Sequence, residues 1–151
     1  MAYTKDALKG KFIPTRPEKY VGNVSTITYR SSYELKFMKW CDLSDSVLKW
    51  GSEEVVIPYQ SPVDGRLHRY FVDFFIKVRT KLGEEKKYLI EVKPYRFTQK
   101  PTQGKRKSAR FLEEVVQYSV NQAKWQAARQ FAKQVDAEFT IITEYDLGIA
   151  K

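Results

Sequence analysis

One stretch of this chain limits its possible folds more than any bulk property: a largely apolar run over 68–78 with a carboxylate, Asp73, at its centre. Read as a strand, its side chains alternate between faces. Tyr70, Val72, Phe74 and Ile76 then face one way, and Phe71, Asp73, Phe75 and Lys77 the other. Both faces are mostly apolar, which puts the strand in the middle of a sheet. A carboxylate there is costly unless a salt bridge, solvent at a strand end or a metal ion compensates its charge. A turn near Gly83 leads to a second strand over 87–93, which Pro94 stops. In it Tyr88, Ile90 and Val92 share one face, and Leu89, Glu91 and Lys93 the other. If the two strands pair as a hairpin, Asp73 and Glu91 converge with Lys93 beside them. Two close carboxylates repel unless a cation lies between them. A divalent metal ion meets that need; a cross-strand ion pair of Lys93 with Asp73 or Glu91 is the plainer reading.

The remaining elements fit around this pair. Ser31 or Ser32 caps a helix expected to end near Asp42, with Glu34 in its first turn near the positive end of the helix dipole. Residues 47–50 suit either a short strand or a helical turn. A strand over 54–59 and a turn at Ser61-Pro62-Val63-Asp64-Gly65 precede the 68–78 strand. After a loop over 94–108, a long helix is expected over 108–135, with an apolar stripe of Leu112, Val116, Ser119, Ala123, Ala127 and Phe131. A last strand covers 138–143. Helix, three strands, helix and strand make a single α/β layered domain over 29–151. Residues 1–28, broken by Pro14 and Pro17 and carrying Lys5, Lys9, Lys11, Arg16 and Lys19, read as an extended basic arm.

Composition narrows the chemistry. The single cysteine, Cys41, rules out an intrachain disulfide, and with one histidine, His68, an ordinary zinc site is excluded. Nothing supports a triad built on His68. No run is long enough for a bilayer span and no secretory signal is present, so a soluble intracellular protein without a membrane partner is expected. A net charge of +9 over 151 residues favours a polyanionic partner such as DNA. Between Lys93 and Arg110 there are seven Lys or Arg and no Asp or Glu. Arg96, Lys100, Lys105, Arg106, Lys107 and Arg110 would make a phosphate-tracking loop that positions DNA without reading its sequence. Gln117, Asn121 and Lys124 share one polar face of the long helix, either a solvated face or a further contact to substrate.

Asp73, a short hairpin and Glu91-Val92-Lys93 resemble the Asp…Glu-x-Lys signature of the PD-(D/E)xK nuclease superfamily, with Val72 where the name has a proline. Over nearly the whole chain, Ile27-Thr28-Tyr29-Arg30-Ser31, Trp50-Gly51-Ser52-Glu53, Val56-Ile57-Pro58-Tyr59, Arg69-Tyr70-Phe71 and Lys124-Trp125 are similar to the head completion nuclease family of T4-like bacteriophages. The resemblance implies a restriction-endonuclease-like α/β fold, a mixed central β-sheet flanked by α-helices. It implies a Mg²⁺ (or Mn²⁺) ion on Asp73, Glu91 and the Val92 carbonyl, Lys93 assisting a water, and Glu34 joining the catalytic set or a second ion. Glu53 is a weaker candidate, left as strand-entry chemistry. The implied role is DNA endonuclease action during head completion, in the host cytoplasm or within the virion, with phage portal or neck proteins as partners. The alternatives are a structural DNA-end or portal-binding protein that cuts little or not at all, and a purely electrostatic nucleic-acid-binding module. Oligomeric state stays open.

Overall fold

The computed structural model describes residues 9–102, 104 and 108–149. Four strands form the central sheet: β3 (Val47–Ser52), β6 (Phe74–Arg79), β7 (Glu85–Val92) and β8 (Glu138–Ile142), in the order β3-β6-β7-β8. The first two pairings are antiparallel and β7–β8 is parallel, so the sheet is mixed. The parallel pairing needs a crossover, and the helix α2 (Ala109–Gln134) supplies it. The helix α1 (Ser32–Leu43) covers the opposite face. Two buried clusters result. Phe37, Met38 and Cys41 of α1 meet Phe74, Ile76, Ile90 and Val92. Trp125, Ala128 and Ala132 of α2 meet Leu89, with Ile57, Tyr70 and Val72. The strands β4 (Val56–Gln60) and β5 (Leu67–Phe71) form a separate antiparallel pair packed on α2.

Both helices begin as the sequence requires. Ser31 accepts from the Glu34 amide at 3.1 Å, and the Glu34 carboxyl returns towards the Ser31 hydroxyl at 3.5 Å. Ser31 is thus the side-chain N-cap of α1. Ser108 caps α2 by accepting from Phe111 N at 3.1 Å. Residues 47–52, open to either reading, form strand β3.

Two expectations are corrected. The run over 68–78 is not one strand: it divides at Val72 and Asp73 between β5 and β6. Val72 N bonds Val55 O at 3.0 Å while Asp73 O accepts from Glu53 N at 3.1 Å. A chain shared by two sheets has to bend where it passes between them. Tyr70 and Val72 consequently pack with α2, whereas Phe74 and Ile76 pack with α1. The buried face of α2 also differs from the expected stripe. Its fully buried residues are Asn121, Trp125, Ala128 and Ala132; Ala123, Ala127 and Phe131 of the expected stripe pack beside them partly buried, while Leu112 and Val116 are 49% and 47% exposed. Ala109 to Gln117 extend past the packed part of the helix, so periodicity there reports no burial.

Of the segment expected as a basic arm, 9–28 lies across the domain. A short strand, β1 (Gly10–Lys11), pairs with β2 (Thr28–Tyr29). Phe12 and Tyr20 pack edge-on against Trp50, with centroids 5.7 and 4.8 Å away. Burial pushes the Tyr20 hydroxyl up to about 12. The Lys19 ammonium donates to the carbonyls of Cys41, Asp42 and Ser44, at 2.6, 3.1 and 2.7 Å. It thereby closes the C-terminal end of α1, where carbonyls lack helical partners.

Candidate active site

The break between β5 and β6 places Asp73 one step before the pair Phe74↔Ile90, so it lies opposite Glu91 in the extended register. The two side chains are in hydrogen-bonding contact. The Val92 amide donates to Asp73 Oδ2 at 2.9 Å, and the Trp125 indole donates to Glu91 Oε2 at 3.0 Å. Each carboxyl is therefore aimed by a donor from outside the pair. Glu91 and Lys93 are both buried, at 5% and 4% exposure.

The electrostatics follow from that burial. The Asp73 carboxyl is held well above its usual range, first by desolvation and then by the charge and hydrogen bond of Glu91. Burial pulls the Lys93 ammonium below its ordinary value, and the charges of Glu91 and Asp73 oppose that shift. Glu34 is raised by burial. Its charge reaches Asp73 and Lys93, although its hydrogen bonds serve the start of α1. Glu53 follows β3 with φ of 57°, a left-handed conformation that costs energy for a non-glycine residue. It forms an ion pair with Arg30, and its amide holds the Asp73 carbonyl. Glu53 thus lies beside the cluster and does more than begin a strand.

The donor set suits a hard cation. Val92 N–H points at Asp73, and in an extended strand the C=O of the same residue lies on the same edge. Two carboxylates and that carbonyl offer oxygen alone, which matches Mg²⁺ retaining several waters. No imidazole or thiolate competes: His68 bonds Asp64 at 2.8 Å, and Cys41 lies in the cluster beneath α1. Among the described residues no set of three or more His, Cys, Asp or Glu side chains gathers to hold a metal ion.

The remaining candidates spread along α2 and the segment after β7. Asn121 is buried and accepts from Gln117 Nε2 at 3.0 Å. Lys124 lies over the rings of Tyr59 and Tyr70, at 5.8 and 5.6 Å, and its charge is felt at Lys93. Arg96, Lys100 and Arg110 line one cleft with Asn121. Lys105, Arg106 and Lys107 lie outside the described residues. Trp125 is the neighbour that the sequence reading passes over; its signal is an indole four residues after Asn121 on the buried face of α2.

A mixed sheet with a helix on each face and carboxylates gathered at a strand break is the arrangement of a restriction-endonuclease-like nuclease domain. Residues 44–144 match the family model described as TnsA-like endonuclease N terminal. Over 142 residues the chain is 38% identical to the head completion nuclease of Enterobacteria phage T4, covering 91% of this chain and 92% of that relative. The chain belongs to this endonuclease family and to the phage head completion nucleases.

Proposed function

We propose that this protein is a Mg²⁺- or Mn²⁺-dependent DNA endonuclease acting in phage head completion. The observation that carries the reading is the contact of Asp73 with Glu91, beside the buried Lys93. Asp73, Glu91 and the Val92 carbonyl would hold the ion. When bound, it supplies Lewis-acid polarisation of a phosphate and neutralises the two carboxylates. The Trp125 indole and the Val92 amide fix the carboxyl orientations beforehand, so little reorganisation accompanies binding. Lys93 Nζ orients the attacking water and meets charge developing on the phosphate. Its lowered affinity for a proton eases transfer at that atom. Glu34 tunes the cluster through its charge, and would have to turn away from the start of α1 to join as a further ligand. Arg96, Lys100, Arg110 and Lys124, with Lys105, Arg106 and Lys107, hold the DNA backbone, and Asn121 supports the substrate side. Portal or neck proteins would recruit the enzyme to the filled head, in the host cytoplasm or in the virion. Residues 29–151 would be the nuclease domain and 1–28 a basic arm joined to it.

The test is incubation of wild type, Asp73→Ala and Lys93→Ala with plasmid and linear DNA, with Mg²⁺ or a chelator. Wild type should nick only with metal, and both variants should lose nicking while still binding DNA. Equal nicking by all three proteins would trace the activity to a contaminant. Binding without cleavage under every condition would favour a structural DNA-end or portal-binding role.

A further inference from the structure

A cleft of about 820 Å³ opens between the segment after β7 and the N-terminal half of α2. One wall carries Tyr95, Arg96, Phe97 and Lys100; the other carries Arg110, Glu113, Tyr118 and Asn121. Both walls lie close in the chain to residues of the carboxylate cluster. Tyr95 follows Lys93 by two residues, and Asn121 lies one helical turn from Trp125, which holds Glu91. The cleft is the size of sites that enclose compact organic ligands and is too small for a turn of duplex. Its lining is also more than a phosphate track, since it sets carboxylates and aromatic rings among the cations. Glu113 and Glu114 stand among the basic residues, and Glu114 bridges Arg110 at 3.3 Å. Half-buried rings face from opposite walls: Phe97, with the Arg96 guanidinium 4.5 Å from its centroid, and Tyr118. Flat rings beside cations suit unpaired bases and their phosphates. Carboxylates can accept from base amino groups that pairing would otherwise occupy.

We infer that this cleft holds an unpaired stretch of DNA running on from the duplex at the cluster, so that the preferred substrate is a duplex with a single-stranded extension. The inference rests on the nuclease reading for its substrate and on the cleft for its specificity. Fluorescence anisotropy of the whole protein in EDTA tests it, with a blunt duplex, the same duplex bearing a thymidine tail, and the tail strand alone. Wild type should bind the tailed duplex more tightly than the blunt one. Phe97→Leu and Tyr118→Leu keep apolar bulk and remove the flat ring. Each should weaken tailed-duplex binding roughly fivefold or more, the scale of one lost base stack, and leave blunt-duplex binding unchanged. Equal affinity of wild type for the two duplexes overturns the inference, as does a proportional loss on both. Should either variant fail to fold by circular dichroism, 2-aminopurine in the tail decides with wild type: quenching on binding supports stacking, and unchanged emission refutes it. Cleavage in Mg²⁺ is scored separately. Tail preference without cleavage sinks the nuclease reading alone, and cleavage without tail preference sinks the cleft alone.

Discussion

Burial and the neighbouring charge of Glu91 keep a proton on Asp73 well above the ordinary carboxyl value of 3.8. Below pH 3.8 both folded and unfolded chains are protonated at this position, and it contributes no pH dependence. As pH rises past that value, the unfolded chain ionises first and stability falls until the folded carboxyl ionises too. Without metal, Asp73→Asn should remove this loss and raise Tm at neutral pH by roughly 3–6 °C, on the order of 1–2 kcal/mol. Mg²⁺ should raise the Tm of wild type by mass action and leave that of the variant nearly unchanged. Differential scanning fluorimetry across pH, with and without Mg²⁺, checks both, and a variant no more stable than wild type in chelator would contradict the account. Trp125→Phe keeps most of the buried ring and removes the donor to Glu91 Oε2. It should cut activity or metal affinity about 10- to 100-fold, seen as a shifted Mg²⁺ dependence of nicking. Asp73, Glu91 and Lys93 were legible because alternation and a nearby turn are local signals. Trp125 was not, since its contact spans 34 residues and depends on which face α2 buries.

At the scale of elements, the junction of the N-terminal segment with α1 rests on Lys19. Its ammonium satisfies three carbonyls, while the Asp42 carboxylate accepts from the amides of Thr15 and Arg16 at 2.8 and 2.9 Å. Lys19→Met retains the aliphatic stem and leaves those carbonyls without their donor. The expected cost is about 2–4 kcal/mol, measured as a lower urea midpoint at unchanged slope. An unaltered midpoint would mean that water replaces the ammonium without penalty. This contact also shows where sequence reading loses power. A lysine among prolines looks like surface charge, and its burial depends on a helix end more than twenty residues away. The strand cores of β6 and β7, both helix starts and β8 as a last strand follow local patterns and were legible; the parallel pairing of β8 with β7 was not. The division at Val72 and Asp73 was not, because β5 pairs with β4 outside the central sheet and the apolar run continues through the bend. The same limit applies to α2, whose periodicity continues beyond the part that packs.

For the molecule as a whole, net charge and local contact make different predictions about DNA. A chain of net charge +9 attracts a polyanion at long range wherever its cations sit. Direct phosphate contacts instead release counterions, so the slope of log K against log salt counts the cations that touch the backbone. Arg96 and Lys100 line the cleft between the segment after β7 and α2. Lys81 lies in the turn joining β6 to β7, at the end of that hairpin away from Asp73 and Glu91. Arg96→Ala, Lys100→Ala and Lys81→Ala all lower the net charge by one. The first two should each flatten the salt slope by about 1, and the third should leave it as in wild type. Anisotropy titrations of the tailed duplex in chelator, over a range of salt concentrations, separate the cases without any cleavage. Three equal changes would assign binding to the overall field, and the DNA path along the cleft would then lose its electrostatic basis.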